Sequence, residues 1–274
     1  MSLREKTRRI LRAYGVIPRK RLGQSFLVNE SIMQKMASYA SLSKQETVLE
    51  IGAGLGFLTE ILAKKAGQVV AVEIDSRLAK VLERRLRQYS NVNLLQGDIL
   101  KLEVPDFDKV VSTPPYSISS PLLFWLFEKR FSQAVLAFQE EFARRLAAAA
   151  GSKDYGRLTV ATWYNAEVEL LDLIPREMFW PPPKVDSMIV RLTPRKPPFH
   201  VKDERFFFQV VRTIFTQRNR KLRNAIMPFL NSFAQSKMEA LKIADSLPFH
   251  NRRPRELAPE EICVVANELF DVVS

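Results

Sequence analysis

A glycine-rich segment followed by acidic residues is the first part of this sequence whose residue types and spacing could support chemistry. The segment Glu50-Ile-Gly-Ala-Gly-Leu-Gly56 follows a short β-branched run. Glycines let a backbone turn tightly and approach a ligand closely, and α/β sheets bind nucleotides where a strand turns into a helix. Glu73 stands 21 residues after Gly52 and ends the next β-branched run. Its carboxylate is suited to accept hydrogen bonds from both hydroxyls of a ribose.

The spacing of the glycines separates two classes of nucleotide cofactor. The dinucleotide fingerprint is GxGxxG, whereas here the third glycine comes one residue early and Phe57 occupies the expected position. A GxGxG segment with an acid directly before it resembles S-adenosylmethionine methyltransferases more than NAD enzymes. Asp98 follows a third β-branched run and is suited to accept from an adenine amino group. An acid at the carboxyl end of each of three successive predicted strands therefore predicts an S-adenosylmethionine site.

A proline turn, Ser112-Thr-Pro-Pro-Tyr116, contains the candidate catalytic residues. It resembles the motif of methyltransferases that act on planar amino nitrogens, whose lone pair is delocalised into a ring. Acceptors for the amino hydrogens expose that lone pair, and an aromatic face stabilises the positive charge that develops. Phe179 or Trp180, in Phe179-Trp-Pro-Pro-Pro-Lys-Val-Asp-Ser187, is a candidate for the opposite face of a flipped base. For that second segment, taken alone, a rigid loop packed on the core is the stronger interpretation.

The elements that must position these residues alternate between short β-branched runs and longer amphipathic stretches, which predicts an α/β fold with a largely parallel sheet. The last strands follow one another with little helix between them, so an antiparallel edge is expected. The predicted strands are Thr47–Ile51, Val69–Glu73, Val92–Leu95, Lys109–Ser112, Ala134–Phe138, Leu158–Thr162, Val168–Leu173 and Ser187–Leu192. The predicted helices are 3–13, 31–40, 57–65, 76–88, 120–129, 140–149, 203–216, 220–230, 236–245 and 259–271.

A proline-rich linker, Thr193-Pro-Arg-Lys-Pro-Pro198, divides this pattern. Residues 1–194 are predicted to form the α/β domain with a basic N-terminal arm, and residues 195–274 a small helical domain. The chain has 274 residues with a net charge of +12, and the excess lies at its ends. Residues 1–21 carry a net charge of +7 and residues 195–274 a net charge of +5, which favours a polyanionic partner.

Composition excludes several classes of protein. One cysteine and two histidines argue against a disulfide framework and leave little material for a metal site. No apolar run approaches the length of a membrane span, and no apolar segment follows the charged N-terminus as in a secretory signal. We therefore expect a cytoplasmic protein with no metal and no membrane partner, and a monomer.

These residues together resemble the small-subunit (16S/18S-type) ribosomal RNA adenine N6,N6-dimethyltransferases, over nearly the whole chain. The resemblance also rests on Lys20-Arg-Leu-Gly-Gln-Ser-Phe-Leu27 and on Phe215-Thr-Gln-Arg-Asn-Arg-Lys-Leu-Arg-Asn224. It implies a Rossmann-like methyltransferase domain and dimethylation of two adjacent adenosines in the 3′-terminal hairpin loop of small-subunit rRNA. The partners it implies are that rRNA and the immature small subunit.

The same resemblance assigns roles to individual residues. Contacts to S-adenosylmethionine are implied for Gln24, Ser25, Leu27, Gly52, Gly54, Glu73, Ile74, Asp98, Ile99 and Thr113. Catalytic positions, including the clamp on the base, are implied for Thr113, Pro115, Tyr116 and Phe179. The excess of basic residues towards the two ends of the chain also predicts RNA contacts, by Arg19, Lys20, Arg21, Arg218, Arg220, Lys221 and Arg223.

One position departs from the family pattern, because Thr113 stands where an asparagine is usual. A threonine hydroxyl is a shorter and rotatable acceptor that also donates, and a lost transition-state hydrogen bond commonly lowers a rate about 10²–10³-fold. Ser112 or a backbone carbonyl is a possible substitute acceptor. Thr113 also leaves open the alternative that this chain is a non-catalytic ribosome-assembly factor. Three related classes of protein compete with this interpretation: a 23S rRNA adenine methyltransferase, a mitochondrial transcription-factor relative and a DNA adenine methyltransferase.

Overall fold

The computed structural model describes residues 1–273, which form two compact units. The first unit comprises residues 1–143 and 168–194, and the second comprises residues 144–167 with the described residues from 195 onward. The last change from one unit to the other along the chain falls after residue 194. The segment 144–167, which the sequence assigned to the first domain, belongs to the second unit. Its Tyr155, Val160 and Tyr164 are part of the second unit's hydrophobic core.

Nine strands and twelve α-helices are present in the described part of the chain. The strands are β1 (Phe26–Leu27), β2 (Thr47–Ile51), β3 (Gln68–Glu73), β4 (Val92–Gln96), β5 (Lys109–Ser112), β6 (Gln133–Gln139), β7 (Ala166–Ile174), β8 (Phe179–Trp180) and β9 (Ser187–Pro194). The helices up to the middle of the chain are α1 (Leu3–Ala13), α2 (Glu30–Tyr39), α3 (Phe57–Lys65), α4 (Ser76–Arg85), α5 (Ser119–Phe127), α6 (Glu140–Leu146) and α7 (Arg157–Asn165). The later helices are α8 (Glu204–Thr216), α9 (Leu222–Ala225), α10 (Met227–Leu230), α11 (Lys237–Ser246) and α12 (Pro259–Val273).

Seven strands form one sheet in the order β4-β3-β2-β5-β6-β9-β7. The pairs from β4 to β6 are all parallel, and β9 runs antiparallel to β6. Successive residues of β2 and β3 are buried, as expected where both faces of a parallel sheet are covered. The predicted α/β fold with an antiparallel edge is therefore confirmed. The order reverses between β2 and β5, and this is the position where such sheets bind ligands beyond their carboxyl ends.

The second unit is helical. Phe207, Val210, Val211 and Ile214 recur along α8 at helical spacing and are buried. They form one apolar core with buried residues of the other helices, among them Leu222, Leu230, Ala244, Ile262, Val265 and Leu269. A set of aromatic side chains, which includes Phe199, packs around Tyr164 in the same core. This unit therefore has a hydrophobic core of its own, as a separately folding domain requires.

Two predicted elements were wrong. Leu158–Thr162 was predicted as a strand but lies within the helix α7. All five of its residues are buried, and a short apolar run has no periodicity that separates a strand from a buried helix. The Thr162 hydroxyl donates a hydrogen bond of 2.8 Å to the carbonyl of Leu158, one helical turn earlier. The single helix predicted over 220–230 is two short helices, and Pro228 lies in the first turn of the second, since proline cannot continue a helix.

The described residues contain no helix that combines the length and the apolar character needed to cross a membrane.

Candidate active site

One cavity lies beyond the carboxyl ends of the parallel strands. Of the two aromatic candidates for the base, Phe179 lines this cavity and Trp180 does not. The wall includes all of the other residues that the sequence assigned to the cofactor or to the base, and all of them belong to the first unit. Together with Phe179, they are Gln24, Ser25, Leu27, Gly52, Gly54, Glu73, Ile74, Asp98, Ile99, Thr113, Pro115 and Tyr116. Residues that are far apart in the chain thus converge on a single space.

The glycine-rich turn between β2 and α3 forms the floor of the cavity. Gly52 and Gly54 have φ angles of +76° and +60°, which side-chain-bearing residues rarely adopt. A Cβ atom on Gly52 would stand 3.2 Å from the ring of Pro115, and one on Gly54 would stand 3.2 Å from the ring of Phe26. Glycine is therefore required both for the turn and for the approach of two other segments.

Glu73, at the end of β3, holds this turn in place. One of its carboxylate oxygens accepts the backbone N–H of Gly54 at 2.9 Å, and the other accepts that of Asp75 at 2.9 Å. The side chain is buried, and burial raises its pKa above the ordinary value. Each oxygen keeps a further lone pair for a ligand.

Glu50 is a wall residue that was not among the predicted site residues, although the sequence placed it just before the glycines. It is 2% exposed, and its Oε2 atom has no hydrogen-bond partner. Burial raises its pKa to about 8, and the nearby carboxylate of Glu73 adds to the shift. The cavity therefore contains a buried carboxyl oxygen for which the protein supplies no partner.

The N-terminal segment around residues 19–27 closes one side of the cavity. The Gln24 amide donates to Asp75 at 2.8 Å, and its oxygen accepts the N–H of Arg19 at 2.7 Å. Ser25 Oγ donates to the carbonyl of Pro181 at 2.5 Å. The side chains of Gln24 and Ser25 are thus already engaged within the protein, and they attach the segment to the start of α4 and to the loop after β8.

A two-stranded sheet that the sequence did not predict joins the same segment to Phe179. In it β1 runs antiparallel to β8, with Leu27 opposite Phe179. Strands of two residues carry no detectable alternation, so no sequence pattern indicated them. Leu27 and Phe179 are buried and line the cavity. The late aromatic segment therefore contributes to the site as well as to the core.

The proline turn after β5 supplies Thr113 and Tyr116. Ser112 does not supply a replacement acceptor, because it is fully buried and its Oγ both donates to the carbonyl of Ile51 at 2.5 Å and accepts the N–H of Ile51 at 3.2 Å. The Tyr116 hydroxyl lies 2.6 Å from Ser187 Oγ. Burial raises the pKa of Tyr116, so its phenol stays neutral.

A profile of the family described as "Ribosomal RNA adenine dimethylase" matches residues 17–264. The chain belongs to this family. Enzymes of the ribosomal RNA adenine dimethylase family transfer methyl groups from S-adenosylmethionine to adenine in rRNA. The predicted family and the predicted cofactor are thereby confirmed.

Relatives in the family cover almost the whole chain. A probable ribosomal RNA small subunit methyltransferase A of Methanosarcina mazei is 45% identical over 270 residues, which span 97% of this chain and 98% of the relative. The crystal structure of a dimethyladenosine transferase from Plasmodium falciparum has a TM-score of 0.80 at 30% identity, covering 90% of this chain and 98% of that one. The crystal structure of the 23S rRNA methyltransferase ErmE has a TM-score of 0.66 at 32% identity, covering 89% of this chain and 99% of that one.

The basic residues predicted to contact RNA differ in how free their side chains are. Arg19, Lys20 and Arg21 are exposed in the first unit, and Arg21 also lines the cavity. In the second unit Arg220 and Lys221 are exposed. Lys221 Nζ donates to Asn251 Oδ1 at 3.3 Å.

The other two members of the cluster in the second unit are only partly exposed and also make contacts within the protein. The Arg218 guanidinium donates to the carbonyls of Tyr155 at 2.6 Å and Lys153 at 3.0 Å. Arg223 forms an ion pair with Asp245 at 3.4 Å. These two side chains are therefore less available for phosphates than their exposed neighbours.

Proposed function

We propose that this chain transfers methyl groups from S-adenosylmethionine to N6 of two adjacent adenosines in the 3′-terminal hairpin loop of small-subunit rRNA, two to each base. The observation that carries the proposal is the convergence of the glycine turn, Glu73 and the Thr113–Tyr116 turn on one cavity. The curated relatives are named as probable small-subunit rRNA methyltransferases, and this favours small-subunit rRNA over 23S rRNA as the substrate. The higher TM-score of the dimethyladenosine transferase supports the same choice.

The residues present fit the cofactor. The left-handed turn at Gly52 and Gly54 brings their backbone to the cavity wall, and Glu73 has lone pairs to accept from ribose hydroxyls. We assign to Asp98 the acceptor for the adenine amino group and to Leu27, Ile74 and Ile99 the apolar walls, because all four line the cavity. Gln24 and Ser25 act through the backbone that their side chains hold in place.

The chain's own part in the reaction is to position the base and exclude water. When bound, S-adenosylmethionine would supply the methyl group to N6 and leave as the neutral thioether, and the proton lost from N6 would pass to the bulk solvent outside the closed site. Tyr116 and Phe179 hold the faces of the flipped adenine, and Pro115 fixes the turn that presents Tyr116. Thr113 accepts a hydrogen bond from the amino group, with its hydroxyl in place of the usual amide.

We propose that the RNA is gripped by Arg19, Lys20 and Arg21 in the first unit and by Arg220 and Lys221 in the second. Arg218 and Arg223 shape the second of these surfaces, because their guanidinium groups contact the protein itself. The protein acts as a monomer in the cytoplasm, on the immature small subunit. Unstacked bases in a loop and the phosphates of the flanking helix are the features such surfaces recognise.

The test is mass spectrometry of rRNA after incubation with S-adenosylmethionine and small subunits that lack the modification. The unchanged chain and Thr113→Asn are compared, with Tyr116→Ala as the inactive control. N6,N6-dimethyladenosine in the 3′-terminal hairpin with the unchanged chain supports the proposal. Activity of Thr113→Asn alone identifies a site disabled at residue 113, and binding without methylation by either chain establishes a ribosome-assembly factor instead.

A further inference from the structure

A hydrogen bond joins the proline turn to the first residue of β9. The hydroxyls of Tyr116 and Ser187 lie 2.6 Å apart, although the two residues are separated by 71 positions in the chain. Tyr116 lines the cavity, whereas Ser187 is absent from its wall and has no exposed surface. Ser187 therefore reaches the site only through the ring of Tyr116.

The backbone of Ser187 is held by the central sheet. Ser187 is opposite Gln139 in the antiparallel ladder between β9 and β6, and the adjacent Asp186 accepts the backbone N–H of Glu140 through its carbonyl at 3.0 Å. The Asp186 carboxylate also accepts the N–H of Arg176 at 2.9 Å. A hydroxyl anchored in this way is a rigid reference point for its partner.

Tyr116 needs such a reference point, because its own element is short. It begins a three-residue 3₁₀ turn directly after two prolines, and a single turn restrains a large side chain weakly. The backbone fixes the ring at Cβ, and the bond to Ser187 fixes the opposite end at Oη. The two fixed ends set the long axis of the ring, and because hydrogen bonds at a phenol oxygen prefer to lie near the ring plane, the direction of the bond to Ser187 selects the rotation about that axis. Stacking on a base depends on the plane that results.

We propose that Ser187 is a positioning residue, which sets the ring of Tyr116 in the plane that stacks on the target adenine. This inference rests on the proposed function, in which Tyr116 holds the base. Without the Ser187 hydroxyl, the Tyr116 phenol turns toward water for a partner, and the ring leaves the stacking plane. A small misplacement of a group that aligns reactants lowers a rate by up to about 10²-fold.

The activity test is a double-mutant cycle of Ser187→Ala and Tyr116→Phe. We expect Ser187→Ala to lower the single-turnover methylation rate about tenfold at saturating RNA. Its dissociation constant for S-adenosylmethionine should change less than about twofold, since Ser187 does not touch the cofactor cavity. In the Tyr116→Phe background, Ser187→Ala should cause no further loss, because the bond it breaks is already absent.

Three activity results would overturn the proposal: losses that multiply in the double variant, a rate that Ser187→Ala leaves unchanged, or a cofactor affinity that falls as much as the rate. Ser132→Ala is the matched control, because it removes a serine hydrogen bond to Asp108 at the opposite end of β6. Should Ser187→Ala fail to fold at the assay temperature, Ser187→Cys replaces it and keeps the size of the side chain with a weaker hydrogen-bonding group.

A second measurement does not depend on methylation, so it decides the proposal even if the unchanged chain is inactive. The six tyrosines are labelled with ¹³C in the ring, and the Tyr116 resonance is identified by its loss in Tyr116→Phe. We expect this resonance to shift in Ser187→Ala and to stay in place in Ser132→Ala. An unchanged Tyr116 resonance in Ser187→Ala would show that Ser187 does not position the ring.

Discussion

At the scale of single residues, Glu50 and Glu73 show how one environment gives two acids different roles. Both are buried at the carboxyl ends of neighbouring strands. Glu73 has a backbone N–H on each carboxylate oxygen, so it is structural as well as available to a ligand. Glu50 has an oxygen with no partner, which is a costly arrangement unless the group is protonated or meets a ligand.

The raised pKa of Glu50 predicts how stability depends on pH. The folded chain holds a proton up to about pH 8, whereas the unfolded chain releases it near the ordinary carboxyl value. The contribution of the protonated Glu50 carboxyl to stability is complete below its pKa in the unfolded chain, and it is lost as the pH rises through about 8. We expect the melting temperature of the ligand-free protein to fall between about pH 5 and about pH 8, and to fall less in Glu50→Gln.

The control for this melting experiment is Glu169→Gln. Glu169 is exposed in an ion pair with Arg191, which lowers its pKa. Its substitution should leave the pH dependence above about pH 6 as it is in the unchanged chain. A Glu50→Gln curve parallel to that of the unchanged chain would show that Glu50 is ionised throughout.

Gly54 carries a second prediction at this scale. In Gly54→Ala the new Cβ meets the Phe26 ring, and a left-handed conformation costs a side-chain-bearing residue about 1–2 kcal/mol. We expect the affinity for S-adenosylmethionine, measured by calorimetry, to fall about tenfold.

Gly151→Ala separates backbone strain from the shape of the cavity. Gly151 has a φ of +86° with open space around it, so the strain is similar and the cofactor site is untouched. It should lower the melting temperature and leave the affinity for S-adenosylmethionine unchanged. Equal losses of affinity in both glycine variants would argue against a cofactor role for the Gly54 turn.

At the scale of elements, Asp75 fixes the segment that closes the cavity. It begins α4 by accepting the N–H of Arg77 at 3.0 Å, forms an ion pair with Arg77 at 2.6 Å, and accepts the Gln24 amide at 2.8 Å. These contacts lower the pKa of its buried carboxyl. The 19–27 segment thus depends on one charge at the end of a helix to which it is not adjacent in sequence.

Asp75→Asn should loosen this segment more than it destabilises the fold. We expect the dissociation constant for S-adenosylmethionine to rise about tenfold, since the segment covers one side of the cavity. Asp172→Asn, which removes a half-buried carboxylate on β7 that binds Lys35 and Tyr39 of α2, is the control and should leave that constant unchanged. An unaltered affinity in Asp75→Asn would mean that the segment keeps its place without this carboxylate.

At the scale of the whole molecule, the net charge of +12 predicts RNA binding that weakens steeply with salt. Each phosphate contact contributes about −0.7 to the slope of log affinity against log salt for single strands. We expect Arg220→Ala to reduce the slope by about one contact, as measured by filter binding to a hairpin RNA at several salt concentrations.

Arg218→Ala should act differently, although the two arginines are near neighbours in sequence. Arg218 donates to backbone carbonyls of 153–155, so its loss should lower the melting temperature and change the salt slope less than Arg220→Ala does. If Arg218→Ala changes the slope and Arg220→Ala does not, the assignment of the two side chains is reversed.

The sequence by itself determined the family, the cofactor and the main sheet, because each leaves a local signal. β2, β5 and α3 begin and end where the sequence predicted them, since runs of β-branched residues mark the two strands and the glycine-rich turn marks the start of α3. The glycines, Glu73, Asp98 and the proline turn are recognisable because their chemistry constrains residue type and spacing together.

Tertiary structure alone decided which distant groups meet. No local pattern shows that 144–167 belongs to the second unit, that α7 is a helix, or that β1 pairs with β8. Likewise, only the fold engages Ser112 with Ile51 and brings Ser187 to Tyr116. Burial and long-range hydrogen bonds produced these outcomes, and both depend on neighbours that are remote in the sequence.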